Sequence, residues 1–217
     1  MRRKGLIVLL LFSAAAFVAA FCTFPVIEAE HHPYSGREKN DIWMKAVPPD
    51  SLLREGDLIL RHGRGFISNA FRSFSREDKK YSHAGFVIFN RGKPFVVHAI
   101  GEEKASNRLR MDPMPEFCNP SDIHSFAVYR YRLRDDERNR LCNIVREEYR
   151  NELAFDLDFS LDTDSLVYCS EFIYKAIISA THNKNYLPLS GIAGFRYVSI
   201  DNLYLNEHCD SVYRYQY

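Results

Sequence analysis

The feature that most restricts the fold of this chain is a pair of β-rich runs, residues 83–89 and 95–100, joined by a short turn sequence. The connecting residues, Asn90-Arg91-Gly92-Lys93, favour a tight β-hairpin, and apolar side chains fill most of both runs. Because a hairpin pairs its strands antiparallel, we predict that the fold contains an antiparallel sheet.

Two histidines interrupt this otherwise apolar hairpin. A turn centred on Arg91-Gly92 places Gly85 opposite His98, so that His83 and His98 share a face as diagonal neighbours, roughly 5–8 Å apart. Gly85, which has no side chain, leaves space above the sheet between them. A single histidine in such a place is usually a core residue that hydrogen-bonds to the backbone. Two histidines on one face instead favour a functional site.

Length and composition indicate a folded globular protein. The chain has 217 residues, 46% hydrophobic and 14% aromatic, which fits one domain, with two small domains as the alternative. Its 29 Lys and Arg against 28 Asp and Glu give no basis for nucleic-acid binding. The common glycine-rich nucleotide loops are absent from the sequence, and five cysteines are too few for a disulfide-built scaffold.

The first 22 residues have the pattern of an export signal. Three basic residues at 2–4 precede an unbroken run of apolar or small residues, which predicts a cleaved signal peptide or an uncleaved anchor that contacts the membrane. Residues 23–50, with four prolines, are expected to be a lead-in segment, and residues 51–217 the folded domain. Export would place this domain in the periplasm or elsewhere at the cell envelope.

Hydrophobic periodicity predicts a mixture of strands and helices outside the hairpin. The expected strands are 56–61 and 126–133, and the expected helices are 65–74, 135–153 and 169–179. This order favours the α+β class over a regular alternation of strand and helix. Residues 111–122 contain three prolines and are expected to form a loop, which is a candidate lid.

Cys169 lies where a loop ends and an apolar helix begins. The positive end of a helix and its free N–H groups favour a thiolate, and the same groups can hold an oxyanion. The alternative is a buried structural cysteine, because cysteine is among the most buried residue types.

A cysteine and a histidine are the minimum for nucleophilic catalysis by a thiol, with a third group to orient the imidazole. We assign Cys169 as nucleophile, His83 as general base and His98 as the orienting group. The same three residues could instead bind zinc at an open His₂Cys site. The sequence has no His-x-x-x-His or Cys-x-x-Cys motif to support zinc, so we expect no metal and no cofactor.

Four short motifs in this order resemble one known family. They are Gly56-Asp57-Leu58-Ile59, Tyr81-Ser82-His83-Ala84-Gly85, Val97-His98-Ala99 and Tyr168-Cys169-Ser170-Glu171-Phe172. They are similar to the permuted papain-like amidases of the YiiX and YaeF type, the circularly permuted branch of the NlpC-type cysteine peptidase superfamily. The resemblance covers roughly residues 51–217. It implies a papain-like α+β fold with a small antiparallel sheet packed against helices.

The resemblance also implies roles for individual residues. His83 and Cys169 match the catalytic pair of the family, and His98 falls at its third position, where glutamate is common. Tyr168 and the backbone of Cys169 are expected to line the oxyanion and substrate site. Asp156 lies in a segment similarly placed in the family and is expected to hold a substrate amine or, alternatively, to belong to an exposed acidic loop.

Two further groups of residues allow interpretation. The cysteines Cys118 and Cys209 could form a disulfide after export, whereas Cys142 is expected in the core. A loose basic region is interpreted as solvated surface or as a contact for an anionic glycan or lipid head group. It comprises Arg61, Arg64, Arg72, Arg76, Lys79 and Lys80.

These observations predict an exported cysteine hydrolase that cleaves amide bonds through an acyl-enzyme, with the peptides of peptidoglycan as the expected substrate. One alternative is a lipid-directed acyl hydrolase or acyltransferase, because lecithin retinol acyltransferase is a distant relative of the family. Another is a binding module that keeps the fold without activity. The sequence carries no signal for the oligomeric state.

Overall fold

The computed structural model describes residues 47–99, 108–155, 161, 166–192 and 194–217. The predicted export segment, most of the lead-in segment and Asp156 lie outside the described residues. Among the helices within those ranges, none has both the length and the apolar character needed to cross a membrane.

The centre of the fold is a six-stranded antiparallel sheet. The strands of the described residues are β1 Leu58–Gly63, β2 His83–Asn90, β3 Lys93–Ala99, β4 Leu109–Pro113, β5 Ile123–Tyr131, β6 Ala154–Phe155, β7 Leu166–Val167, β8 Ser190–Ile192, β9 Phe195–Tyr197 and β10 Cys209–Gln216. The order in the central sheet is β10-β5-β1-β2-β3-β4. In the same part of the chain, two small two-stranded sheets pair β6 with β7 and β8 with β9.

Within the described ranges, four α-helices accompany the strands. They are α1 Phe66–Ser73, α2 Met114–Phe117, α3 Asp135–Arg150 and α4 Cys169–Thr181, and short 3-10 turns cover Asp50–Leu52 and Asp201–Leu203. The two long helices follow the predicted periodicity. In α3 the buried residues Leu141 and Val145 are four apart and share one face. The predicted α+β class is confirmed.

The sheet has a separate apolar core on each face. Helices α3 and α4 cover one face, where side chains such as Phe86, Leu141 and Phe172 are almost fully buried. The other face carries a smaller core that includes Val87, Val96 and Phe117. Because strand side chains alternate between faces, neighbouring residues of β2 and β3 contribute to different cores.

The β2–β3 hairpin has the predicted register, with Phe86 paired to Val97 and Asn90 paired to Lys93. Arg91 and Gly92 both have positive φ angles, 51° and 76°, which is the conformation expected at the centre of a two-residue hairpin turn. The turn chemistry alone was therefore enough to fix which side chains face each other.

Asp57, the acidic residue of the first motif, fixes the start of β1. Its carboxylate is fully buried and accepts hydrogen bonds from the Arg54 N–H and from Nε and Nη2 of Arg130, at 2.7–2.8 Å. Arg130 belongs to β5, so this ion pair links neighbouring strands. The role of Asp57 is therefore structural: it aligns the strand whose other end reaches the histidines.

Two predictions about the remaining segments were wrong. Residues 111–122 are not a lid, because they contain the end of β4 and helix α2, whose Met114 and Phe117 are fully buried in the smaller core. No disulfide joins Cys118 and Cys209: both thiols are free, and they belong to cores on opposite faces of the sheet. Cys142 is 5% exposed, so its predicted core position is confirmed.

Candidate active site

The two histidines of the hairpin are in direct contact. His83 is the first residue of β2 and His98 is close to the end of β3. Nε2 of His83 and Nδ1 of His98 are 2.8 Å apart, within hydrogen-bonding distance. The prediction that they are diagonal neighbours on one face is confirmed. His98 is completely buried, whereas the His83 side chain remains partly accessible.

A third residue, Asp112 of β4, continues this contact across the sheet. Its Oδ2 atom is 2.9 Å from Nε2 of His98, and its Oδ1 atom accepts hydrogen bonds from Arg110 at 3.0 and 3.2 Å. Sequence reasoning missed Asp112 because β4 was taken for part of the proline-rich loop. The alternating pair Arg110 and Asp112 was the available signal, since in a strand both side chains point to one face.

The pKa values of this chain of groups indicate their charge states. Burial would raise the pKa of Asp112, but the hydrogen bond from His98 and the charge of Arg110 lower it below its usual value. Burial lowers the pKa of His98 despite the contact with Asp112. Burial, followed by the positive charge of Arg61, lowers the pKa of His83 well below its usual value. At neutral pH Asp112 is therefore ionised and both histidines are neutral.

These charge states fix the tautomers of both rings. A carboxylate can only accept, so Nε2 of His98 must carry the proton that points to Asp112. Nδ1 of the neutral His98 is then an acceptor, and Nε2 of His83 donates to it. Nδ1 of the neutral His83 is consequently left without a proton, which makes it the basic nitrogen of the site.

The ring of Phe117 packs against the side chains of this site. Its ring centroid lies 5.9 Å from that of His83 and 5.2 Å from that of His98. The guanidinium carbon of Arg61 is 4.5 Å from the same centroid, and Nη1 of Arg61 donates to the Phe117 carbonyl oxygen at 3.2 Å. The segment expected to be a lid therefore forms the floor of the site.

Cys169 is the first residue of α4 and is 5% exposed. Backbone N–H groups of Ala84, Ser170 and Cys169 itself lie near its sulfur and lower the pKa of the thiol. Ala84 follows His83 directly, so the structure brings the sulfur of Cys169 against the strand residue next to His83. A helix N-terminus and the start of a strand thus meet at this point, and the pairing of Cys169 with His83 in catalysis stays a prediction.

The charge state of Cys169 differs from the expectation. Burial raises the pKa of its thiol to about 11, although the three N–H groups and the charge of Arg61 act in the opposite direction. Desolvation thus opposes the thiolate that the helix N-terminus favours, and in the resting protein it outweighs the N–H groups. No hydrogen bond joins this sulfur to the His83 ring, and such contacts are often long before a substrate binds.

Tyr168 holds the backbone in front of the nucleophile. Its hydroxyl accepts a hydrogen bond from the N–H of Val198, its own N–H donates to Glu171, and the residue is 4% exposed. Glu171, which is fully buried, also pairs with Lys175 at 3.0 Å. These contacts give Tyr168 a structural role, and its contact with substrate stays a prediction.

The zinc hypothesis gains no support from the geometry. In the described ranges no three His, Cys, Asp or Glu side chains are grouped so that they could hold a metal ion. His83 and His98 bond to each other through ring nitrogens, and the second nitrogen of His98 bonds to Asp112. Their lone pairs therefore do not converge on a common point.

Comparison with known proteins agrees with this fold. Residues 52–186 match the YaeF/YiiX family of permuted papain-like amidase enzymes, also called the C92 family. The chain therefore belongs to this family. The match includes His83, His98, Asp112 and Cys169, and it ends before the last strands of the fold.

Two relatives are similar to this chain. The uncharacterized protein YiiX of Escherichia coli K12 is 24% identical over 127 residues, which cover 58% of this chain and 57% of that protein. The chain thus matches little more than half the length of this relative. A crystal structure of the metalloprotein YiiX from Escherichia coli O157:H7 has a TM-score of 0.61 at 17% identity, covering 76% of this chain and 98% of the other.

Proposed function

We propose that this protein is a cysteine hydrolase that cleaves amide bonds through an acyl-enzyme intermediate. The observation that supports it best is the hydrogen-bonded chain from His83 through His98 to Asp112. The His83 end of this hydrogen-bonded series lies beside the helix N-terminus that carries Cys169. Membership of a family of papain-like amidases supports the same reaction class.

In the first step Nδ1 of His83 accepts the proton of the Cys169 thiol as the sulfur attacks the substrate carbonyl carbon. The resting pair is neutral, because burial lowers the pKa of His83 and raises that of Cys169. The proton therefore moves during the attack rather than before it. Backbone N–H groups at the start of α4 stabilise the negative charge that develops on the carbonyl oxygen.

In the second step the tetrahedral intermediate collapses and the C–N bond breaks. His83 returns its proton to the leaving amine, and a thioester of Cys169 remains. Nδ1 of His83 then takes a proton from a water molecule, whose oxygen attacks the thioester, and the proton returns to the sulfur. The products are a free amine and a carboxylate.

His98 and Asp112 act on His83 in both steps. When Nδ1 of His83 is protonated, the ring becomes a cation whose Nε2–H donates to His98. Asp112 holds the His98 tautomer that can accept this hydrogen bond. The negative charge at the end of the chain thus stabilises the positive charge on His83. Asp112 is one hydrogen bond further from His83 than the residue at the third position. It supplies the negative charge that a glutamate in place of His98 would supply directly.

The cell envelope is the proposed location, and peptides of the cell wall are the proposed substrates. The basic and apolar sequence at the N-terminus supports export. The resemblance to NlpC-type cell-wall peptidases supports a peptide substrate. We also propose that catalysis needs no metal, because the site nitrogens bond to one another rather than converge.

The experiment that tests this function is digestion of purified muropeptides by the protein without residues 1–22, analysed by liquid chromatography and mass spectrometry. The expected result is a new free amine in the products and a transient acyl adduct on Cys169, both unaffected by EDTA. Cys169→Ala should abolish both. Release of fatty acid from phospholipid vesicles without muropeptide cleavage would favour the lipid-directed alternative. No turnover and no adduct with either substrate would contradict the hydrolase.

A further inference from the structure

The Arg61 guanidinium occupies an unusual position beside the candidate catalytic residues. Arg61 in β1 pairs directly with His83 in β2, so both side chains lie on the same face of the sheet. Its guanidinium carbon is 4.5 Å from the Phe117 ring, against which His83 and His98 also pack. Arg61 therefore shares one floor with the two histidines.

The hydrogen-bonding groups of Arg61 are mostly unused. A guanidinium has five N–H groups, and among the described residues Arg61 makes one side-chain hydrogen bond, from Nη1 to the Phe117 carbonyl oxygen. Within the described ranges no carboxylate lies within 4.0 Å of Arg61. The neighbouring Arg110 differs, because it forms an ion pair with Asp112 at 3.0 Å. Arg61 thus brings a positive charge without a direct ion-pair partner into a site with neutral histidines, and Asp112 and Asp122 act on this charge only from a longer distance.

The environment of Arg61 makes this charge costly for the protein alone. Burial lowers the pKa of Arg61, and Arg61 in turn lowers the pKa values of His83 and Cys169. A partly buried guanidinium with free donors is a good receptor for a carboxylate or a phosphate, which accept two parallel hydrogen bonds. An anionic ligand group would accept hydrogen bonds from N–H groups of Arg61 that have no partner among the described residues.

We propose that Arg61 selects substrates that carry an anionic oxygen group, a carboxylate or a phosphate, next to the bond that Cys169 attacks. This inference rests on the proposed function and names the substrate class of the same site. It also separates Arg61 from the rest of the basic region. Arg64, for example, is exposed and donates to the carbonyl oxygen of Pro120.

The test uses two alkylating reagents of nearly equal size, anionic iodoacetate and neutral iodoacetamide. Mass spectrometry of the peptide that contains Cys169 gives the rate for each reagent, and their ratio does not depend on the fraction of thiolate. We expect Arg61→Gln to lower the iodoacetate-to-iodoacetamide ratio by about five- to tenfold, from the loss of one nearby charge. Arg61→Lys should retain most of the ratio, and Arg64→Gln should leave it unchanged.

A second measurement identifies the anionic group. Succinate, glycerol 1-phosphate and neutral succinamide are compared for their ability to slow alkylation of Cys169 by iodoacetamide. Protection by succinate alone would indicate a carboxylate, protection by glycerol 1-phosphate alone a phosphate, and both should disappear in Arg61→Gln. A thermal melt of each variant separates loss of the fold from loss of the charge.

The outcomes distinguish this inference from the proposed function. An unchanged reagent ratio in a folded Arg61→Gln would overturn the inference, even if muropeptides are cleaved. The inference would also be overturned if neither reagent alkylates Cys169 in the folded wild type but both do so after unfolding. No small anion could then reach Arg61 and the sulfur together. A changed ratio without any hydrolysis would support the anion-binding role of Arg61 and contradict the proposal that the protein is a hydrolase.

Discussion

Oδ2 of Asp112 lies 2.9 Å from Nε2 of His98, and this contact sets the protonation of a residue that Asp112 does not touch. The ionised carboxylate requires a proton on Nε2 of His98, which makes Nδ1 of His98 an acceptor for His83. Asp112 in β4 thereby determines which nitrogen of His83, in β2, acts as the base of the site.

Replacing Asp112 with asparagine should lower kcat about 100-fold with little change in KM. The amide can donate to Nε2 of His98, which favours a proton on Nδ1 and removes the acceptor that His83 needs. Steady-state kinetics on a cleaved muropeptide measures the effect. Arg110→Gln is the matched control, since it removes a partner of Asp112 and keeps the carboxylate. Equal losses in both variants would show that Asp112 matters only for local packing.

Alkylation of Cys169 should show an ordinary or slow thiol at neutral pH, with a rate that rises toward an apparent pKa near 11. The reason is that burial opposes the thiolate more strongly than the surrounding N–H groups favour it. The measurement is the iodoacetamide rate of the Cys169 peptide from pH 5 to 11. In urea the same cysteine should titrate near 9.0, which is its usual value. A reactive plateau at neutral pH that disappears in His83→Ala would instead establish a resting thiolate–imidazolium pair.

The free energy of unfolding should fall as the pH decreases below about 6.5, because His83 and His98 stay neutral in the folded protein. Their folded pKa values are lowered, so the unfolded chain binds these protons first and gains stability relative to the native state. Each histidine contributes up to about 1.4 kcal/mol per pH unit between the unfolded and folded pKa values. Asp112 has a lowered pKa and acts only at more acidic pH.

Urea unfolding at pH 7, 6 and 5 measures this dependence. The double variant His83→Gln with His98→Gln should have a smaller slope over the same range, since glutamine does not titrate. If the wild type and the double variant lose stability equally between pH 7 and 5, the two histidines are not the cause.

Gly85→Ala should destabilise the protein by about 1–3 kcal/mol and disturb the contact between the histidines. A Cβ atom at this position would lie 2.5 Å from Cγ1 of Val96 and 3.1 Å from Cβ of His98. Urea midpoints measure the change in stability. Gly191→Ala is the control, because among the described residues its Cβ atom would have only the carbonyl oxygen of Phe195 within 4 Å, at 3.4 Å. A stable Gly85→Ala with full activity would mean that β2 and β3 can separate without cost.

Local sequence patterns were sufficient for much of this fold. The turn at Arg91 and Gly92 determines the hairpin register, and alternation along its strands then puts His83 and His98 on one face. The helical spacing of apolar residues likewise predicted α4, with Cys169 at its first residue. These features depend on residues that are close in sequence, so a single chain contains the information needed to predict them.

Asp112 could not be assigned in the same way. Its contact with His98 exists because β4 pairs with β3, and the prolines around β4 suggested a loop instead. Residues 111–122 show the same limit, because Met114 and Phe117 are buried on the sheet face that the two long helices, α3 and α4, do not cover. Pairing between strands and competition for a buried face are decided by the whole chain.

The sequence by itself determined the hairpin, the helix that begins at Cys169 and the set of residues that can perform thiol chemistry. Only the tertiary structure decided their charge states, because desolvation depends on every atom packed around a group and not on its neighbours in the chain. It also decided which of the six basic residues between 61 and 80 faces the histidines: Arg61 pairs with His83 across two strands, which no local pattern specifies.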